Sequence, residues 1–446
     1  MKTTILRWSI FSVLSFASTT AMAQRAGDAV VFPASGEPQV IHLDDHTKLT
    51  LLGTSYGYHH KAPHYENLGT ANWIYTASNT TVVWIEEEHE PGKWPSYELL
   101  VSDRANTGCV NIERRQGSFV KEGVSLQSFV LSAFPRWDKE TILRVRPYRG
   151  AASKEQFVLT NPAPGTIAEW TPDPLPATKS AGDLEVTLAK LIAGAPVPYR
   201  EGGSRAPTND PANHCVHLDF NFRQNGQSTT NWQAWPVQTT DAAGNWSRGL
   251  IYGYPKNGIN PNYPDRIHPS FPPERDGYYF QPGLWPDKPW KVRMEFIRRF
   301  NFSDDETVAF TNLPVKPGSQ QDWDDQWGAW DIGKTNFPFS ITQGTANGVH
   351  LKLLPPLLVP NKNSPGQKYV SVILGADPDF NPRGMNLTVV EATDDQGRDL
   401  SHPFGSSWAG HYDLEFPNVR EIKSLNLKLA LHKSRFVEFT VKPARQ

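Results

Sequence analysis

Apolar and polar residues alternate with a period of two along most of this chain, and no other feature limits its fold more. Lys48 to Leu52, Thr81 to Ile85, Thr141 to Arg146 and Leu425 to Leu429 all carry the pattern, with many β-branched residues. Such alternation describes strands packed on one face and wet on the other. Proline at 38 and glycine at 33 exceed what long helices tolerate and favour short strands joined by turns. Few runs could form an amphipathic helix; Thr187 to Ile192 fits a turn and a half of helix or a strand. Hydrophobic residues make up only 38%, but 15 Trp and an aromatic share of 11% can supply the missing core area. The expectation is an all-β chain.

A repeat appears when segment ends are aligned. Phe157-Val158-Leu159-Thr160-Asn161-Pro162 resembles the run from Val308 to Pro314 and the run from Val437 to Pro443, and each follows another strand. Those preceding strands are Ile142 to Arg146, Lys291 to Phe296 and Leu425 to Leu431. Turns of similar chemistry recur at Ser102-Asp103 leading to Gly108, at Asp241 to Gly244 and at Asp394 to Gly397. Opening strands recur at Leu49 to Leu52, Leu184 to Leu188 and Val349 to Leu353. Together these predict three tandem β-sandwich domains, immunoglobulin-like or C2-like: 28–162, 181–316 and 339–446. A Pro-rich linker covers 163–180 and a second linker 317–338. The middle unit carries an insertion, 252–289, whose prolines exclude a central strand and suggest a folded surface loop.

The first 23 residues read as an export signal. Lys2 and Arg7 form a basic start, Trp8 to Ala17 an apolar run, and Ala21-Met22-Ala23 a cleavage pattern before Gln24. The apolar run is too short to span a bilayer, so a soluble periplasmic or extracellular protein is expected. Lys+Arg 44 against Asp+Glu 46 leaves a formal charge of −2, without the basic footprint of nucleic-acid or anionic-membrane binding. Cys109 and Cys215 fall in different units and read as small buried residues rather than as a disulfide framework.

Four strings, Leu49 to Gly57, Ala133-Phe134-Pro135-Arg136, Gly182 to Leu188 and His432 to Phe439, resemble those of large exported bacterial proteins built of tandem β-sandwich domains. That group has no assigned activity. The resemblance implies location and architecture, and it carries over no site residue.

His59, His60, His64 and Glu66 could present nitrogen and carboxylate ligands to zinc or copper, although Lys61 and Pro63 interrupt them. Asp377 to Gly384 and Asp322 to Trp327 hold acidic residues at calcium-like spacing, but Pro382 stands where a calcium loop turns on glycine. Calcium and zinc are thus the ions these patterns could take, and none of the patterns demands a cofactor. Glu86 and Glu88 share a strand face with no opposing partner, so they read as a solvated strand end. No G-x-S-x-G elbow accompanies Ser406-Ser407. Trp246, Tyr254, Tyr263 and Trp285 could stack on sugars, with Trp246 and Trp285 expected to be the most exposed. The leading expectation is a non-catalytic structural or interaction protein whose partner is a protein or a glycan. Carbohydrate binding by the second unit comes next, and a metal-dependent enzyme using the histidine loop third.

Overall fold

In the computed structural model the chain is predominantly β. It describes residues 30–445 apart from 34–37, 66–72, 94, 96, 103–108, 112–113, 148–154, 163–164, 166, 197–213, 230, 251, 255–276, 281–283, 332–338, 362–365, 377–383, 401–403, 409–410, 418 and 420. By compactness these fall into two units. One gathers Thr230–Gln233 and Phe296–Arg435; the other gathers Ala234–Glu295, Phe436–Gln446 and the described part of Ser15–Thr229.

The larger unit begins with β1 (Val30–Pro33), β2 (Val40–Asp44), β3 (Thr47–Lys61), β4 (Trp73–Glu88), β5 (Tyr97–Ser102), β6 (Cys109–Asn111), β7 (Arg114–Lys121), β8 (Val124–Leu131), β9 (Glu140–Pro147) and β10 (Gln156–Thr160). One sheet runs β1-β3-β4-β8-β7 with β2 on β3; another runs β10-β9-β5-β6. Strand β9 keeps the expected alternation, burying Thr141, Leu143 and Val145. Strand β4 does not: Val82, Val83, Trp84 and Ile85 are all at most 1% exposed. A continuous apolar run in a central strand is buried on both faces. The edge strand β10 is blunted by Gln39, whose side-chain amide donates to the Val158 carbonyl (2.8 Å) and accepts from the Val158 N–H (2.7 Å).

Next come β11 (Ala177–Ala181), β12 (Leu184–Pro196), β13 (His214–Gln224), β14 (Gln227–Ser228), β15 (Trp232–Asp241), β16 (Trp246–Leu250), β17 (Tyr252–Tyr254), β18 (Gly277–Phe280), β19 (Trp290–Arg298) and β20 (Thr307–Pro314). Thr187 to Ile192 is strand, inside β12. The order β11-β12-β13-β18-β17 makes the core of a seven-stranded sheet. The insertion 252–289 is therefore not simply a surface loop, because its two ends form a ribbon in which β18 pairs with both β13 and β17. Its prolines fall outside these tyrosine-rich ends, which leaves the ends free to pair. The Pro-rich stretch 163–180 contains β11, and Asp173 exchanges two backbone-directed bonds with Thr440.

The rest of the chain contributes β21 (Lys316–Pro317), helix α1 (Gln320–Asp331), β22 (Thr342–Ala346), β23 (Val349–Leu353), β24 (Leu357–Pro360), β25 (Lys368–Ala376), β26 (Met385–Asp394), β27 (Phe404–Trp408), β28 (His411–Phe416), β29 (Ser424–Lys433), β30 (Arg435–Val441) and β31 (Ala444–Arg445). In the smaller unit the sheet β20-β29-β26 faces a seven-stranded sheet centred on β25. Phe310, Leu313, Ala392, Leu425, Leu427 and Leu429 of the first share one core with Leu353, Val370, Val372, Leu374, Leu414 and Phe416 of the second.

One strand order recurs three times. Hairpins β2–β3, β11–β12 and β22–β23 each pair onward to β4, β13 and β25, and then to β8, β18 and β28. A second sheet follows each time, with its inner strand β9, β19 or β29 flanked by β5, β15 or β26. The turns at Asp241 and Asp394 match bond for bond. Each aspartate Oδ1 accepts the N–H groups two and four residues on, at 2.8–3.0 Å, and Gly244 or Gly397 supplies the positive φ. Most of the Ser102 to Gly108 turn lies outside the described residues.

The third copy does not simply follow the second. Strand β10 pairs with β9, which precedes it in the chain, but β20 does not pair with β19. It pairs with β29, and β19 instead receives β30. The segments leading into β10 and β20, 148–155 and 299–306, are equal in length, so either could return as a hairpin. Between β29 and β30 lies Ser434 alone. One residue cannot reverse an antiparallel pair, since hairpin loops need two or more. Strand β30 therefore runs on to β19, and β20 occupies the place on β29.

Candidate functional site

Asp322 to Trp327, whose acidic residues suggest a polar linker or calcium loop, is helix. Ser319 caps the helix reciprocally with Asp322: the Ser319 N–H and hydroxyl donate to Asp322 Oδ2 at 2.7 and 2.6 Å, and the Asp322 N–H donates to Ser319 Oγ at 3.2 Å. Gln320 and Gln321 donate to Asp324 and Asp325 one turn on. The acidic side chains thus hold helix geometry. Four residues apart, Trp323 and Trp327 stack with centroids 5.8 Å apart and planes 7° from parallel. They cover Leu354 and Ile373 on the face of the seven-stranded sheet opposite its core.

Beneath this helix lies a buried polar relay. The Trp323 indole N–H donates to Ser371 Oγ (3.1 Å), and the Ser371 hydroxyl donates to Asp413 Oδ1 (2.9 Å). Ser371 is 2% exposed and Asp413 4%. Burial raises the Asp413 carboxyl to about 7, and the neighbouring Glu415 adds to the rise against the hydrogen bonds of Ser371 and Trp323. Glu415, two residues along the same strand face, is itself pushed up by burial. The group can hold or release a proton near neutral pH. A substrate, however, would have to displace Trp323 to reach it.

The described residues of the histidine loop do not converge. His59 and His60 are neighbours on β3, so their side chains leave opposite faces. His60 is fully buried: Nδ1 lies 2.9 Å from Ser55 Oγ, which also accepts the Trp84 indole N–H, and Nε2 lies 3.5 Å from Thr76 Oγ1. Burial lowers its pKa to about 4, so the ring is a neutral structural linchpin. His64 is exposed in a turn with φ 66°, and Glu66 lies outside the described residues. Among the described residues no group of three or more His, Cys, Asp or Glu could hold a metal ion. The calcium-like Asp377 run lies outside them except for Gly384. Glu86 accepts the Tyr65 hydroxyl and Glu88 pairs with Lys48, so these carboxylates are engaged rather than a free solvated end.

Trp285, expected on the surface, is 1% exposed. Its ring packs edge-on against Trp137 at 5.5 Å, and its carbonyl accepts the Trp290 indole N–H. The following Pro286 is buried with it at the start of a turn. Trp246 is half-buried on β16, where it shares the outer side with Arg248, next to Thr240 and Gln238 of β15. Its strand is anchored by the Trp246 N–H to the Ser132 carbonyl (3.0 Å) and by the Phe134 N–H to Asn245 Oδ1 (2.8 Å). The backbone of Tyr254 pairs with Gly277; Tyr263 lies outside the described residues. Of the four rings, the two that are described differ in setting: Trp285 is core and Trp246 half-buried.

Set against known protein families, curated proteins and solved structures, the chain matches none of them.

Proposed function

We propose that this chain is an exported, non-catalytic structural or interaction protein built of three tandem β-sandwiches. The paired sheets of matching strand order support the architecture, and the basic start followed by Ala21-Met22-Ala23 supports export. One observation carries the functional reading: β20 and β30 exchange places between the second and third strand repeats. Repeats that share strands cannot unravel one at a time, which suits a protein valued for persistence. Side-chain blunting of the edge strand by Gln39 also suits a long-lived extracytoplasmic life without edge-to-edge aggregation. Cross-linking in the intact producing cell tests it. The structural reading expects one extracytoplasmic protein, or further copies of this chain, bound in fixed proportion and indifferent to competing sugars. Turnover of a substrate by the purified chain would refute it.

A second reading, carbohydrate binding, draws on Trp246 beside Arg248, Gln238 and Thr240 on one outer sheet face. Saturable binding to a glycan panel, weakened more than about tenfold by Trp246→Ala, would favour it.

A further inference from the structure

The structure assigns the segment Arg435–Arg445 a second acceptor: the same site on another copy of this chain. The inference deepens the structural reading above by naming the partner, and it rests on that reading. From Phe436 onward the segment lies in the larger unit, where it is held by two sheets. Strand β30 lies along β19 with Val437, Phe439 and Val441 buried at 3%, 0% and 1% exposure, while β31 pairs in parallel with Ile192 and Ala193 of β12. On the outer face Lys291 reaches Glu438 at 3.6 Å, the Arg293 guanidinium lies 4.2 Å from the Phe436 ring centroid, and Asp173 takes both backbone groups of Thr440. Arg445 is paired with Asp287. This is strand addition, in which backbone bonds give affinity and alternate pockets give specificity.

None of these contacts depends on which copy supplies the strand. The one-residue junction at Ser434 keeps β30 off β29, so the strand must seek an acceptor elsewhere. Short junctions of this kind promote exchange between copies. Cis and trans placement then differ in effective concentration alone, on the order of mM or less for a tethered strand.

The test uses full chains carrying Cys109→Ser and Cys215→Ser. One copy adds Lys291→Cys and the other Glu438→Cys; they are unfolded together, refolded and treated with a short bismaleimide. Trans exchange predicts a covalent dimer whose yield falls roughly in proportion to dilution before refolding. A chain carrying both substitutions should close on itself at low concentration. Closure only within single chains, whatever the concentration, would overturn the inference. Failure of the double variant to close would remove the β19–β30 pairing beneath it. Equal dimer yield when Val390→Cys replaces Lys291→Cys would expose random association and also overturn it. None of these outcomes touches the partner found by cross-linking in cells, so the broader structural reading stands or falls separately.

Discussion

Asp413 shows how much a single residue's role depends on a cover invisible in its own strand. His411 to Phe416 alternates, and Leu414 and Phe416 enter the core as the pattern predicts. The same pattern assigns Asp413 to water, yet α1 covers that face. Nothing in the strand itself signals the helix; the Trp323/Trp327 spacing of four was the available sign, masked by surrounding acids. Because the native carboxyl titrates near 7 rather than near 3.8, the folded state binds more protons than the unfolded chain between those values. Asp413 therefore favours folding most at low pH, and its contribution is lost as pH rises toward 7. His60 and His432, both lowered by burial to about 4, act oppositely over about pH 4 to 6.5, so the wild-type curve alone would hide the effect. Denaturant titrations of wild type and Asp413→Asn should show wild type losing up to about 4 kcal/mol relative to the variant from pH 4 to pH 8. A constant difference would refute the assignment. Tryptophans offer a second check at this scale. Trp285→Ala should cost about 3–5 kcal/mol, whereas Trp246→Ala should cost about 1 kcal/mol or less, measured by thermal or denaturant melts.

Element identity was legible wherever period two ran unbroken, as in β9 and along Ser424 to Leu429 of β29, because burial on one face imposes it directly. Which faces a strand buries was least legible where a second layer covered the far face, as at β4, and element identity where prolines dominated a segment whose ends pair, as at β17 and β18. Turn chemistry was legible as well: the Asp241 and Asp394 turns share an aspartate and a glycine in sequence, and in the structure both close with the same hydrogen-bond pattern. Strand placement was harder, since β20 reads equally well beside β19 or β29. A close backbone contact records where it went. A Cβ on Gly344 of β22 would lie 2.4 Å from Val308 Cγ2 and 3.0 Å from the Phe310 ring. Gly344→Ala should thus destabilise by about 1–3 kcal/mol through overpacking, and trimming the neighbour with Val308→Ala should recover part of that loss in a double-mutant cycle. Strict additivity of the two changes would place β20 elsewhere.

At the scale of the whole molecule, sequence neighbours and structural neighbours part company. Strands β29 and β30 are separated by one residue, yet each belongs to a different sheet, and the same is true of β19 and β20 across a longer segment. The repeat announces that three equivalent edge positions exist, but not which strand fills each; that depends on the length of the Ser434 junction. The exchange makes a reciprocal prediction. Phe439 is fully buried on β30, and Phe310 is 4% exposed on β20. Truncating either to alanine should cost about 3–5 kcal/mol, with damage that ignores sequence proximity. Hydrogen exchange followed by mass spectrometry should show Phe439→Ala loosening β19 and β12, roughly 140 and 250 residues upstream, while β26 and β29 keep their protection. Phe310→Ala should do the converse, loosening β29 and β26 and sparing β19. If each variant instead loosened the strand just before it in the chain, β29 for Phe439 and β19 for Phe310, the strands would be paired as simple hairpins. The exchange, and with it the persistence argument for this protein's role, would then fall.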